Sequence, residues 1–327
     1  MKITDFVACA IVMITPLSAQ SVDEYSWSEL TPNGEAVGRH ECVFMEYGDK
    51  FYLMGGRGVK PVNRYDPQRN SWETLNKTPI EINHFQAVEY NDLIYVVCAM
   101  NGSYPVEKPL TNVWIYDPQS DEWREGDPIP VEHQRGGGGA VLYDGKIYIA
   151  CGIEYGHTSG TTNIFSCYDP ESGEWSSLTK APHIRDHFAA IVVQDKLYCI
   201  GGRNSSVHYP GNFGAFFNAT TPEVDVYDFE QGKWYTLPNN LPTPTAAGGV
   251  VEIDGEIIYM GGEGSDPLAY NQTQCLNLDS GEWRELSPMV QGMHGSGAIE
   301  YDGKVYWAAG SYKQGGSNLN TIQLFSK

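Results

Sequence analysis

Two apolar runs joined by a tight polar turn recur six times along this chain. Between Arg185 and Gly202, the letters RDHFAAIVVQDKLYCIGG hold one run, a turn at Gln194-Asp195 and a second run that ends in two glycines. Apolar runs of this length between turn residues are typical of buried β-hairpins. The second run recurs as KFYLMGG (50–56), LIYVVCAM (93–100), KIYIACG (146–152), EIIYMGG (256–262) and KVYWAAG (304–310).

A second phrase follows most of these hairpins and predicts two further strands. It reads RYDPQRNSW (64–72), IYDPQSDEW (115–123), CYDPESGEW (167–175), VYDFEQGKW (226–234) and CLNLDSGEW (275–283). With Trp27 included, the repeated tryptophans are 45 to 59 residues apart. Four-stranded units of this length predict the blades of a β-propeller.

The blocks GGR, YDP and GEW, with an arginine before the first strand of the unit, resemble kelch repeats. The resemblance extends over residues 27–327. It implies an all-β, six-bladed kelch β-propeller with four-stranded blades, whose strands we label a to d from the inside outwards. The N-terminal d strand around Trp27 and the C-terminal a, b and c strands (about 293–327) then complete one blade together. We therefore expect the two ends of the chain to close the ring.

The first 19 residues are predicted to be a signal peptide. Lys2 precedes an apolar run from Phe6 to Ile14, and small residues lead to a cleavage site at Ala19. Residues 20–327 then form a single propeller domain of a secreted protein, extracellular or, in a bacterium, periplasmic. Five N-glycosylation sequons favour a glycoprotein: Asn76, Asn101, Asn204, Asn218 and Asn271.

The formal net charge of −20 limits the class of partner. Such an acidic surface repels phosphate backbones and anionic lipids, so we expect no nucleic-acid partner, and no apolar stretch predicts a membrane span. Besides Cys9, six cysteines remain, an even number that permits disulfides. Most stand where other repeats have apolar residues or glycine, so we interpret them as small buried hydrophobic residues.

One face of the propeller carries the candidate site. The a-to-b and c-to-d turns are short and regular, whereas the b-to-c and d-to-a connections on the other face are long and varied, and variable loops on a rigid scaffold usually carry function. Alignment of the repeats places histidines and arginines there, around the mouth of the central channel. The predicted ligand-binding residues are Arg39, His40, Glu41, Arg57, Arg135, Arg185, Asp186, Arg203 and His294.

Two readings of these residues remain open. The arginines before strand a could bind a ligand carboxylate through paired hydrogen bonds, or they could serve hydrogen bonding between blades. The aromatic insert at 203–222 could be a lid over the channel or a plug packed on its own blade.

Function is predicted as binding of a glycan or a protein ligand at this mouth by a monomeric protein. The alternative is a carbohydrate-active enzyme. A uronate-type lyase needs a cation, a base and an acid, for which Arg185, His187 and either Tyr155 or His84 are candidates. The kelch resemblance also implies a sugar mutarotase as a variant, with Glu263 as its acid/base residue.

No cofactor and no metal site are predicted. CxxC pairs are absent, and so is the Tyr-His dipeptide that the copper site of galactose oxidase, an enzyme of the same superfamily, would imply. Histidines from different blades could still hold a metal ion, but spacing along the chain does not test this.

Overall fold

Six four-stranded antiparallel sheets make up residues 21–327, the part of the chain that the computed structural model describes. The predicted signal peptide (1–19) and Cys9 lie outside the described residues. Blade 1 contains β2 (Cys42–Tyr47), β3 (Lys50–Gly55), β4 (Pro61–Asp66) and β5 (Ser71–Lys77). Blade 2 contains β6 (Val88–Tyr90), β7 (Leu93–Val96), β10 (Asn112–Asp117) and β11 (Glu122–Pro128), with a small extra hairpin of β8 (Met100–Asn101) and β9 (Lys108–Pro109).

The next three blades follow the same order. Blade 3 contains β12 (Gly139–Tyr143), β13 (Lys146–Tyr155), β14 (Ser159–Asp169) and β15 (Glu174–Leu178). Blade 4 contains β16 (Ala189–Val193), β17 (Lys196–Ile200), β18 (Asp225–Asp228) and β19 (Lys233–Thr236). Blade 5 contains β20 (Gly249–Ile253), β21 (Glu256–Met260), β22 (Thr273–Asn277) and β23 (Trp283–Leu286). Short 3-10 helices occur at Val22–Glu24, Val131–His133 and Phe213–Asn218.

Both ends of the described chain build blade 6, as the repeat count predicts. Its strands are β24 (Gly297–Tyr301), β25 (Lys304–Gly310) and β26 (Leu319–Ser326), followed in space by β1 (Ser26–Glu29). Strand β1 pairs antiparallel with β26 from Ser26 opposite Ser326 to Glu29 opposite Gln323. The predicted six-bladed kelch propeller with four-stranded blades is therefore confirmed.

The innermost strands surround a central channel of about 470 Å³. Tight approach of these strands needs residues without side chains. A Cβ added to Gly139 would come within 2.3 Å of the Cβ of Ala190 on the neighbouring blade, and one added to Gly249 within 2.3 Å of the Trp307 ring. The glycine run at 136–139 therefore allows close strand packing, as a reading of these glycines as a thin channel wall predicts.

Apolar side chains of neighbouring blades pack together to form the core between them. Phe165, for example, packs edge-on against Tyr227 and Trp234 of the next blade, with ring centroids 4.8 and 5.0 Å apart. The six cysteines of the described residues are all buried and free, which agrees with their interpretation as small hydrophobic residues. Within residues 21–327, no helix has the length and apolarity needed to cross a membrane.

The arginines that precede strand a lie inside the blades. Arg39, Arg135 and Arg185 are at most 2% exposed. Arg135 donates to the carbonyl oxygens of His133, Ile149 and Cys151 at 2.6 to 2.9 Å. Arg39 and Arg185 likewise donate to backbone carbonyls of their own blades. These guanidinium groups are used up by blade structure, so we exclude all three from the ligand-binding site and from the catalytic cation role.

Candidate functional site

A cavity of about 290 Å³ lies where the b-to-c connections of the blades converge. Each of the six blades contributes to its wall through Arg57, Tyr104, His157, Arg203, Glu263 and Gln314. His40, Glu41, Phe216, Phe217 and Gly315 complete it. The irregular face therefore forms a mouth of mixed polar and aromatic character, here called the mouth cavity.

An ion pair between neighbouring blades forms one side of the mouth cavity. Arg203 donates to the Glu263 carboxylate, whose other oxygen accepts from the Gly315 amide at 2.8 Å and lies 3.3 Å from Nε2 of His294. The Arg203 guanidinium also lies 4.8 Å above the ring of Phe216 and 5.2 Å from that of Phe217. Burial raises the pKa of Glu263, but the neighbouring His294 and Arg203 outweigh it and lower that pKa to about 2. Glu263 is therefore a carboxylate at neutral pH, suited to act as a base or acceptor.

Replacing Glu263 with glutamine is expected to flatten the pH dependence of stability between pH 5 and pH 2. A carboxyl group with a lowered folded-state pKa contributes stability above its unfolded pKa, and this is lost as the pH falls through the folded value. The difference between 4.5 and about 2 corresponds to about 3 kcal/mol. Urea unfolding of both proteins at successive pH values measures it. Equal loss of stability in the two proteins would contradict the expectation.

A second buried ion pair lies across the cavity. Nη1 of Arg57 lies 2.6 Å from Oε1 of Glu107, and Oε2 of Glu107 lies 3.2 Å from Nδ1 of His157. Glu107 is 2% exposed; although burial raises its pKa, His157 and Arg57 lower it to about 2. Sequence comparison of the repeats missed Glu107 because it lies in the irregular connection between β7 and β10, which has no equivalent in other blades.

The innermost tier of the mouth is organised by a chain of backbone hydrogen bonds between blades. His84 donates its amide to Glu41, Gly137 to His84 and His187 to Gly137, at 2.7 to 3.1 Å. Ala247 and Gly295 continue the chain, which the amide of Cys42 closes on the Gly295 carbonyl at 3.2 Å. The equivalent residues of all six blades have left-handed φ angles of 52 to 70°. The propeller ring thereby holds each side chain at this tier in a defined direction.

Three histidine rings meet below the mouth cavity. His84 and His187 come from the inner tier of blades 2 and 4, and His157 comes from the loop between β13 and β14 in blade 3. Their ring centroids are 4.8 to 5.0 Å apart, and all three side chains are buried. Burial, followed by the nearby His187 and Arg57, lowers the pKa of His84 well below its ordinary value. Oε2 of Glu41 lies 3.1 Å from Nε2 of His84.

The remaining predicted residues fall into two groups. His40, Glu41, Arg57, Arg203 and Glu263 line the mouth cavity, while His84, His187 and Asp186 lie beneath it and His294 supports Glu263. Tyr155 is 61% exposed at the end of β13 and does not line the cavity, so we exclude it from the candidate site. The aromatic insert contributes Phe216 and Phe217 to the wall, so part of it covers the mouth.

Comparison with known families fits this architecture. The model of the Attractin/LZTR1 beta-propeller family matches residues 15–262. The chain belongs to the Attractin/LZTR1 beta-propeller family. Among curated relatives of this Attractin/LZTR1-type propeller, the Kelch-like protein terF of Aspergillus terreus is 27% identical over 91% of this chain, which spans 67% of that relative. Human Kelch-like protein 23 is 26% identical over 94% of this chain, which spans about half of it (51%).

A solved structure has the same architecture as this Attractin/LZTR1-type propeller. "Structure of YjhT" superposes with a TM-score of 0.74 at 16% identity, covering 88% of this chain and 95% of the other. At this identity the likeness concerns the fold alone. The kelch propeller fold is consistent with a ligand-binding or protein-interaction role, because such folds carry different functions on their loops.

Proposed function

We propose that this protein is a secreted propeller that binds a carbohydrate in the mouth cavity. The observation that carries the proposal is the composition of the cavity wall. The aromatic side chains of Tyr104, Phe216 and Phe217 lie beside the hydrogen-bonding groups of Arg203 and Glu263. A sugar ring has apolar C–H faces and a rim of hydroxyl groups, so it needs this combination of an aromatic surface and polar groups at its edge.

The size of the cavity favours a small sugar or the end of a glycan. Ligand cavities in proteins are usually about 300–1,000 Å³, and this one is near the lower limit at about 290 Å³. A single sugar ring matches this volume better than a protein loop does. A protein ligand could therefore insert only a short segment, while the rest of its contact would lie on the outer loops.

The charges around the cavity favour a neutral sugar over a uronate. Arg57 is already paired with the buried Glu107, and Arg203 with the buried Glu263. Glu41 adds a further carboxylate to the wall. No unpaired guanidinium in the described cavity wall is left for an acidic sugar, and Arg185 lies inside its blade. The uronate-type lyase is therefore the less favoured enzyme alternative.

Calorimetric titration with a panel of neutral sugars, N-acetylated sugars and uronic acids tests the proposal. Phe217 and Phe213 lie on the same short 3-10 helix (Phe213–Asn218), but only Phe217 lines the cavity. We expect Phe217→Ala to weaken binding of a neutral sugar by about tenfold, which corresponds to about 1.4 kcal/mol, and Phe213→Ala to change it less than about twofold. Equal losses in the two variants, or binding of no sugar, would contradict the proposal.

The same preparation also tests secretion and the remaining enzyme alternative. Protein is collected from the medium of a eukaryotic host, and its N-terminus is read by mass spectrometry; retention of Met1 would contradict cleavage. The neighbouring Arg203 and Glu263 favour a mutarotase as the second candidate. NMR of the bound sugar's anomers then separates the two functions, since a binder leaves their exchange rate unchanged, whereas a mutarotase accelerates it and loses this effect in Glu263→Gln.

A further inference from the structure

The three histidine rings below the mouth cavity have the spacing of imidazoles around one metal ion. One ring nitrogen each of His84, His157 and His187 lies within 4.8 Å of the other two. With metal–nitrogen distances of about 2.0–2.1 Å and tetrahedral angles, imidazole rings on a Zn²⁺ ion have centroids about 5 Å apart. The observed centroid distances are 4.8, 4.9 and 5.0 Å. The rings are inclined at 55 to 77° to one another rather than stacked in parallel.

Each of the three rings has an outer hydrogen-bond acceptor on Nδ1. Nδ1 of His84 lies 2.6 Å from Oδ1 of Asn83, and Nδ1 of His187 lies 2.5 Å from Oδ1 of Asp186. Nδ1 of His157 faces Glu107. An acceptor at Nδ1 places the ring proton there and leaves the lone pair of Nε2 for a metal, which is the usual arrangement of histidine ligands and their supporting groups.

Two further observations point to a ligand at the centre of the three rings. Nε2 of His187 is fully buried and has no hydrogen-bond partner among the described residues. A buried polar atom of this kind costs free energy unless something binds it. The supporting groups are themselves held, since Asp186 accepts from the Ser205 amide at 3.0 Å and from Oγ1 of Thr161 at 2.6 Å. The site is thus built from fixed side chains rather than from mobile surface histidines.

The buried charges around the rings also suit a divalent cation. Four carboxylates surround the cluster and its mouth, against two guanidinium groups. They are Glu41, Glu107, Asp186 and Glu263, paired with Arg57 and Arg203. Two negative charges are left over, and buried charges without compensation are costly.

We propose that His84, His157 and His187 bind one divalent first-row transition metal ion of the Zn²⁺ or Cu²⁺ type, the ions that imidazole ligands suit. His157 also lines the mouth cavity, so the fourth coordination position faces the space that a ligand would enter. The Glu41 carboxylate, beside Nε2 of His84, is placed to hold a water molecule at that position. This site stands independently of carbohydrate binding.

Metal titration of the full chain, purified without a polyhistidine tag and stripped with a chelator, tests the proposal. We expect about one Cu²⁺ per chain with a Kd in the micromolar range or below, and an electron paramagnetic resonance spectrum split by nitrogen ligands. Binding of Zn²⁺ should raise the thermal midpoint by mass action. A wild-type protein that binds no stoichiometric metal, or a Cu²⁺ spectrum without nitrogen splitting, would overturn the proposal without recourse to any variant.

Variants then assign the ligands. His187→Ala is expected to weaken Cu²⁺ binding at least about hundredfold, and the positioning variants Asp186→Asn and Glu107→Gln by about ten- to hundredfold. His208→Ala is the matched control, because this histidine stacks on Phe213 and lies outside the cluster. Equal losses in His208→Ala and His187→Ala would reject the assignment. Titrations contain no sugar, and Phe217→Ala should retain the metal, so failure of this proposal and failure of the carbohydrate proposal are distinguishable.

Discussion

Replacing Arg185 with alanine is expected to lower the free energy of unfolding by about 3–5 kcal/mol. Its Nη2 lies 2.7 Å from Oδ2 of Asp225, and both side chains are fully buried. Its Nη1 donates to the carbonyl oxygens of Cys199, Gly201 and Glu223 at 3.0 to 3.2 Å. Alanine would leave the Asp225 carboxylate buried without its cation and three carbonyls without this donor. Chemical unfolding followed by tryptophan fluorescence measures the change.

Arg69 provides the matched control for this variant. It is 83% exposed and pairs with Asp66 at 3.7 Å, so Arg69→Ala should change stability by less than about 0.5 kcal/mol. A double variant, Arg185→Met with Asp225→Asn, removes both buried charges and should recover part of the loss. A small effect of Arg185→Ala, comparable with that of Arg69→Ala, would show that the arginine before strand a is not structural and would reopen its ligand-binding role.

Replacing Trp27 with alanine is expected to cost about 3–5 kcal/mol as well, for a different reason. Trp27 stands on the closing strand β1, is 7% exposed and stacks on Phe325 of β26 with ring centroids 5.1 Å apart. Its Nε1 donates to Oγ1 of Thr273 on blade 5 at 2.9 Å. One side chain thus joins the closing strand both to its own sheet and to the neighbouring blade.

Two variants separate the contributions of Trp27. Ser28→Ala changes the next, exposed residue on the same strand and should alter stability by less than about 0.5 kcal/mol. Trp27→Phe keeps an aromatic ring but loses the hydrogen bond, so it should cost less than Trp27→Ala. Thermal unfolding by circular dichroism gives the midpoints. If Trp27→Ala unfolds at the midpoint of Ser28→Ala, strand β1 does not close the ring in the way described.

The repeat pattern was sufficient to predict the fold because its signals are local. Turn pairs such as Asp144-Gly145 adopt left-handed φ angles of 46 and 72°, which tight hairpins require. The tryptophan spacing and the unpaired d strand at Trp27 together implied six blades and closure by both ends. Strand pairing between β1 and β26, at opposite ends of the described chain, followed from counting strands rather than from any contact visible in the sequence.

The candidate site was only partly predictable. Alignment of the repeats located His84, His187, Glu41 and Glu263 because they occupy equivalent positions in a regular unit. The same alignment also selected Arg39, Arg135 and Arg185, since a residue type at a repeated position does not reveal whether its side chain faces the channel or its own blade. Glu107 and His157 lie on connections without repeat equivalents, so no comparison between copies could indicate that they face each other.

The sequence by itself determined the class of fold, the number of blades, the closing strand and the face that carries the long connections. These follow from apolar alternation and turn chemistry within about fifty residues, which act locally. The tertiary structure alone decided that His84, His157 and His187 come together and that Arg203 of blade 4 pairs with Glu263 of blade 5. Contacts of this kind join loops from different blades, and their geometry exists only once the ring has closed and fixed the direction of each inner side chain.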